Sequence, residues 1–226
     1  MSVISVTEAI QARKSVREFQ DRAVEPALIK EILELALLSS SGSNLQPWKI
    51  YAMAGETKQQ LTDLVNERAM TTPMGEGGDI PIYPEKLINP WRQRRADCGE
   101  VVYEALGISR DDKMGRIVQV MKNFSFFGAP VGLILTMDRS MSEAQIIDMG
   151  LILQNIQLLA VERGLDTCAQ ASWTMWPKTV REVLDVDDSE MVMVGVALGY
   201  ANQDAAVNFA KQPRVGFDEA VTLLGF

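Results

Sequence analysis

Apolar positions fall into two rhythms along this chain, and together they sketch its elements. Leu28, Ile29, Ile32, Leu33, Leu35, Ala36 and Leu37 recur at helical spacing behind Pro26, which predicts a helix over 26–38. Ser5-Val6-Thr7-Glu8 has the form of a capping box and predicts a short helix to about residue 14. A strand is expected at 48–54 and a helix at 56–70. Residues 71–90 carry Pro73, Gly75, Gly77, Gly78, Pro81, Pro84 and Pro90, so they read as loop. Helices follow at 91–106 and 110–124, separated by Gly107, and then a strand at 131–137. A long helix over 141–163 ends at Gly164 and has apolar residues on both sides, which predicts burial on two faces. A short strand at 166–172, a helix at 177–184 and a buried strand at 191–199 complete the pattern. Residues 200–226 are expected to be mostly irregular. Helices outnumber strands, so the chain reads as α+β, one domain over 1–226 with a small mixed sheet enclosed by helices.

Composition narrows the function. Hydrophobic residues make up 47% of the 226 and charged residues 23%, as in an ordinary globular protein. The longest apolar runs suit buried strands and fall short of a membrane span. No basic segment followed by an apolar core opens the chain, so the expected location is the cytoplasm. A net charge of -8 argues against a nucleic-acid partner. Cys98 and Cys168 form no disulfide framework. The absence of histidine excludes a Ser-His-Asp triad, a Cys-His dyad and any His-ligated metal. If the chain is an enzyme, a cofactor is the better source of its chemistry.

Against that acidic background, Arg13, Lys14, Ser15 and Arg17 place three cations and a hydroxyl within five residues. If the helical turn continued, Arg13 and Arg17 would share a face and could hold a phosphate bidentately. A solvated basic patch is the alternative. Ser39 to Asn44 is a polar run that ends a helix, and Gln46-Pro47-Trp48 leads it into a strand. It reads equally as a turn or as the lining of a ligand site. Asp166 to Trp173 ends in small residues that would let a planar ligand approach the backbone, although a crowded sheet interior explains them as well. Asn123-Phe124-Ser125-Phe126-Phe127 reads mainly as core, with Asn123 lacking an evident structural task. Arg214 stands alone in the tail.

In chain order, Arg-x-Ser-x-Arg-x-Phe (13–19), Ser-Gly-Ser-Asn-x-Gln-Pro-Trp (41–48), Gly-Leu-Asp-Thr-Cys (164–168) and Val-Gly-x-Ala-Leu-Gly-Tyr (194–200) with a downstream Arg resemble the FMN-dependent nitroreductase superfamily. The segments 89–95, 105–108 and 123–130 are similar to its nitrobenzoate and dinitroaniline reductase branch. The resemblance covers nearly the whole chain. It implies a nitroreductase-like fold in an intertwined homodimer, with residues 200–226 wrapping the partner and adding a strand to its sheet. It implies FMN at the interface, with Arg13, Ser15, Arg17 and Arg214 on the phosphate and ribityl end. Lys14 would point toward the pyrimidine edge and Asn123 would lie near the flavin. Ser40, Ser41, Ser43, Asn44 and Gln46 belong to the same set, the serines and Asn44 coming from the other subunit. The strand end at Gln170, Ala171 and Ser172 would present a backbone N–H to flavin N5. The implied activity is ping-pong transfer of two electrons from NADH or NADPH, through FMN, to nitroaromatic or quinone acceptors. Rival readings on the same fold are flavin cleavage, reductive dehalogenation, and FMN storage or sensing without turnover. Residues 71–95 are the expected lid, with Tyr83, Trp91, Arg92, Arg94 and Arg95 facing an aromatic acid or a nucleotide phosphate.

Overall fold

A computed structural model describes residues 4–226. Four strands form one sheet in the order β1-β2-β4-β3: β1 Trp48–Ala54, β2 Val131–Asp138, β3 Asp166–Gln170 and β4 Glu190–Gly199. Every strand pair is antiparallel, where a mixed sheet was expected. Among the described residues the one parallel pairing is an isolated bridge between Ser15 and Thr167. The paired strands are joined by long, helix-bearing connections, which leave either strand direction open.

The helices are α1 Val6–Ala12, α2 Pro26–Ala36, α3 Gly55–Thr71, α4 Trp91–Ala105, α5 Lys113–Met121, α6 Gln145–Glu162, α7 Pro177–Leu184 and α8 Phe217–Ala220. The Ser5–Glu8 capping box is present and starts α1. The helix stops earlier than its polar continuation suggested, because Arg13 already has extended geometry (φ -59°, ψ 125°). Helix α5 is shorter than expected. Residues Lys122–Gly128 form a tight turn in which Phe126 and Phe127 both take left-handed backbone angles. Helix α6 begins at Gln145 rather than 141.

Side-chain alternation along β2 splits the core into two layers, one on each face of the sheet. Leu133 and Leu135 pack with Ile32, Ala36, Ile152, Ile156 and Val196 beneath α2 and α6. Ile134 packs on the other face with Leu61, Val65, Phe126, Trp173, Trp176 and Val180, beneath α3 and α7. The second layer is built on aromatic rings. Phe126 stacks on Trp173 at 4.5 Å between centroids, and Phe124 meets Trp173 and Trp176 edge-on at 5.7 and 5.8 Å. Trp173 lies directly on Gly195, where a Cβ would fall 2.0 Å from its ring, and Phe126 lies on Gly132 in the same way. These two glycines are therefore demanded by the rings above them.

The 71–95 excursion divides into two unlike halves. Its first half is strapped down. The Glu76 N–H donates to the Met175 carbonyl, and its carboxylate accepts from the Thr179 N–H and hydroxyl at 2.9 and 2.6 Å. Asp79 accepts from Arg139, Arg181 and the Val192 N–H at 2.6, 2.8 and 3.0 Å. Residues 81–90 are mostly exposed, as is the start of α4. The tail also departs from a featureless chain: Ala206–Phe209 form a tight turn and Phe217–Ala220 a short helix. Helix α6 buries Met149, Ile152, Ile156 and Ala160 but leaves Ile146, Ile147 and Leu151 exposed, so within one chain it is buried on one face only. Among the described residues no helix is long and apolar enough to cross a membrane.

Two outcomes follow from this packing. Gly195→Ala drives a methyl group into the Trp173 ring, and a loss of roughly 2–3 kcal/mol is expected in urea unfolding. Acid should also destabilise the fold. Burial raises the pKa values of Asp79 and Glu190, but hydrogen bonds outweigh it: Arg139, Val192 and Arg181 act on Asp79, and Lys49, Thr136 and Tyr51 on Glu190. Both groups therefore titrate below their unfolded values of about 3.9 and 4.3. Their contribution is complete above those values and is lost as pH falls through the folded ones. Urea midpoints at pH 6 and pH 3 should show the drop, and Asp79→Asn should reduce it.

Candidate functional site

Because α1 ends at Ala12, residues 13–19 run as extended chain beside β3. The Val16 N–H donates to the Thr167 carbonyl at 3.0 Å, and Val16 itself is fully buried. Alternation then places Arg13, Ser15 and Arg17 on the side away from Val16. The helical turn that would have placed Arg13 and Arg17 on one face does not continue, and it is the extended chain that puts them on one side.

The tail closes over this segment. Phe19 bridges Ala201, Gln20 N–H donates to the Tyr200 carbonyl, and Asn202 N–H donates to the Glu18 carbonyl. Asn208 is the principal clamp. It is 3% exposed; its Oδ1 accepts from the Arg17 N–H at 2.8 Å, and its Nδ2 donates to the carbonyls of Glu18 and Asn202 at 2.7 and 2.9 Å. Its amide thereby satisfies three backbone groups and holds the segment that carries Arg17.

The result is a cleft of about 780 Å³ lined by Arg13, Lys14, Ser15, Arg17 and Arg214, with Gln154, Phe209 and Lys211 from α6 and the tail. Lys14 sits 4.4 Å over the Phe209 ring, and Arg214 hydrogen-bonds to the carbonyls of Gln212 and Pro213. Five of its lining side chains are cationic and none is acidic, a composition suited to a phosphate.

Arg17 also lines a second cleft, of about 790 Å³, beneath α4 and α5. Asn123, Phe127, Cys168 and Ala169 line its floor, and Tyr83, Arg92, Arg94, Arg95, Tyr103 and Arg116 its wall. Trp91 is exposed and outside both clefts. Burial pushes the Cys168 thiol up to about 11, against the opposing pull of Arg17, Arg13 and Ser15. At neutral pH it is a protonated thiol and no nucleophile. Burial likewise raises Asp166, with Lys14 pulling it back.

Strand β3 ends at Gln170, and Ala171 and Ser172 begin a tight turn instead of continuing the strand to residue 172. Gln170 is buried, and its Nε2 donates to the Asn123 carbonyl at 2.6 Å. It therefore sits behind Asn123 rather than in the cleft, while Asn123 donates to the Val120 carbonyl. Gln170 Oε1 and Ser172 Oγ are buried without a partner among the described residues. Ala171 is exposed.

The Ser40–Gln46 segment is not part of either cleft. Gly42 N–H donates to Asp148 on α6 at 3.1 Å, and Ser41 Oγ accepts from the Gln46 N–H at 3.0 Å. Ser43, Asn44 and Gln46 all take positive φ, near 50–57°, and are exposed. Sequence reasoning missed Asn208, Gln154, Lys211, Tyr103 and Arg116. Asn208 lies in a stretch with no periodicity, and its importance comes from backbone partners of which two, at Arg17 and Glu18, are far away in sequence.

The profile of the nitroreductase family matches residues 10–200. The chloronitrobenzene nitroreductase of Comamonas testosteroni is 37% identical over 97% of this chain and 96% of its own length. The 4-nitrobenzoate reductase of Pseudomonas putida is 36% identical over 96% and 94%. Among solved structures, the FMN- and NADPH-dependent nitroreductase NfnB from Sphigopyxis sp. strain HMH superposes with a TM-score of 0.96 at 44% identity, covering 99% of this chain and all of its own. NfnB from Mycobacterium smegmatis, solved with NADPH, gives 0.91 at 29% identity over 97% and 98%.

Replacing Asn208 with Ala strands the Arg17 N–H and removes one of the donors to each of the Glu18 and Asn202 carbonyls. A loss of about 1–3 kcal/mol is expected in thermal or urea unfolding, together with faster amide exchange at Arg17.

Proposed function

The chain belongs to the nitroreductase family, and from that premise we propose that it is an NAD(P)H-dependent FMN oxidoreductase reducing nitroaromatic acceptors as a homodimer. The observation that carries this reading is the pair of clefts that share Arg17, one lined by five cationic side chains and no acid, the other lined at its floor by Cys168 and Ala169 of β3. The residues present fit FMN. Arg13, Ser15, Arg17 and Arg214 would hold its phosphate, in a cleft whose lining carries five cationic side chains and no acidic one. When bound, FMN supplies two-electron transfer that no side chain of this chain provides.

The protein's part is to bind, orient and exclude water. Lys14 and Arg17 set positive charge beside the site and favour a bound group that gains negative charge on reduction. Asn123, held by Gln170, presents its amide at the floor of the second cleft. Donor and acceptor use that same cleft in turn, which gives ping-pong kinetics. Quinones of similar size are alternative acceptors.

Two observations support the homodimer. Ile146, Ile147 and Leu151 on α6, and Leu223, Leu224 and Phe226 in the tail, are exposed apolar side chains that a second copy would cover. Ser43, Asn44 and Gln46 hold unfavourable left-handed geometry away from their own chain's clefts. Strain of this kind persists where a function uses it. In this reading Ser40, Ser41, Ser43, Asn44 and Gln46 serve the partner's site, and Ala171 and Ser172 offer backbone N–H groups to the ring.

The purified protein should be yellow and dimeric, bleach with NADPH or NADH and recolour with a nitroaromatic. A yellow protein that neither nucleotide reduces would make it a binding protein instead, and a colourless protein that takes up no FMN would overturn the reading. Arg17→Ala should weaken FMN binding about tenfold or more in a fluorescence titration while leaving the apoprotein's melting temperature nearly unchanged. Unaltered FMN affinity would remove Arg17 from the phosphate site.

A further inference from the structure

Helix α4 begins against the usual electrostatic grain. Its first turn holds no acidic residue, and Arg92, Arg94 and Arg95 follow Trp91 at the positive end of the helix dipole. Three cations there destabilise the helix, so helix stability does not explain them. All three line the second cleft, together with Arg17 and Arg116, and the single carboxylate in that lining is Glu100.

Charge pairing separates these arginines. Arg116 is joined to Glu100 at 3.0 Å, and Arg94 to Glu219 of the tail. Arg92 and Arg95 have no carboxylate partner among the described residues. Arg95 is held over the Tyr83 ring at 4.2 Å, and Arg116 over Tyr103 at 4.1 Å. Stacking of this kind fixes a guanidinium while leaving its in-plane N–H donors free for an oxyanion. Arg92 and Arg95 are three residues apart and so lie on neighbouring positions of one helix face.

We propose that Arg92 and Arg95 form an anion subsite in the second cleft, separate from the phosphate cradle. It takes an oxyanion group carried by one of the two small molecules that use the cleft. That group is either a carboxylate on the aromatic acceptor or the 2′-phosphate of the dinucleotide donor. The subsite rests on the oxidoreductase reading, which brings both molecules to this cleft. Its chemistry discriminates by charge: an aromatic acid over its neutral analogue, or the phosphorylated nucleotide over the unphosphorylated one.

The test uses the FMN-loaded protein and redox-inert probes in pairs, benzoate with benzamide and 2′,5′-ADP with 5′-AMP, by isothermal titration. In the unaltered protein one anionic probe should bind roughly tenfold tighter than its partner. Arg92→Gln with Arg95→Gln should abolish that preference, and Arg94→Gln, whose charge is already paired, should leave most of it. Discrimination in the first pair assigns the subsite to the acceptor, and in the second to the donor. The proposal falls if neither pair is distinguished, if the double variant keeps the preference, or if Arg94→Gln removes it equally. Flavin content and bleaching by NADPH, recorded on the same samples, report separately on the oxidoreductase reading: a protein that is loaded and bleached yet blind to charge defeats the subsite alone.

Discussion

Val16 is wholly enclosed in the core, and its N–H is bonded to the Thr167 carbonyl. This contact fixes an otherwise polar segment beside β3 and makes the rest of the site possible. With Val16 anchored, the neighbouring cations must face outward into a cleft, and the tail, tied through Asn208, has a rigid edge to close upon. The segment depends in turn on the layer beneath it, where Val16, Cys168, Phe124, Trp173 and Ala197 pack in one cluster. Fold and site therefore share their foundations: a disturbance of the aromatic layer reaches the cationic segment through direct packing.

That aromatic layer also explains the awkward backbone at Phe126 and Phe127. Left-handed geometry is unfavourable for bulky residues. Here it turns two consecutive rings into the core, with Phe126 seated between Gly132 and Trp173, and it leaves the Phe127 carbonyl to accept from the Phe19 N–H at 3.3 Å. Asn123, at the start of the same turn, ends on the cleft floor. The burial of the rings compensates for the backbone strain, and the turn carries Asn123 to its place.

Most elements could be read from the sequence pattern, because apolar residues either recur on one helical face or run together along a strand. Strands β1 and β2 and helices α2 and α7 are of this kind, and their ends lie within a residue or two of expectation. The boundaries that shifted are at places where tertiary partners override local pattern. Helix α1 gives way to a strand-like contact with β3, and β3 breaks after Gln170 into the turn that places Trp173 on Gly195. The cationic cluster was visible as an anomaly in an acidic chain, and the ordered motifs gave it meaning. Asn208 was not visible, since nothing in an irregular tail marks an amide whose partners are 191 and 190 residues away. The division of the 71–95 excursion was equally hidden. Glycine in the first half and proline in the second both read as loop, and only the bonds of Glu76 and Asp79 show that the first is a fixed strap.

Charge pairing also separates two groups of arginines in the molecule. Arg68, Arg139, Arg163 and Arg181 each meet carboxylates and bind one part of the fold to another. In the clefts, Arg13, Arg17, Arg92, Arg95 and Arg214 have no carboxylate partner among the described residues, although acidic side chains outnumber basic ones 30 to 22. Cations left together around concave surfaces create a local positive potential inside a negative molecule, and low-dielectric walls concentrate that field. Negative overall charge repels polyanions at long range, while a small anion that enters the mouth of either cleft meets the opposite sign. The positive potential of the clefts is thus a property of how charge is distributed, and it follows from the partners that these arginines lack.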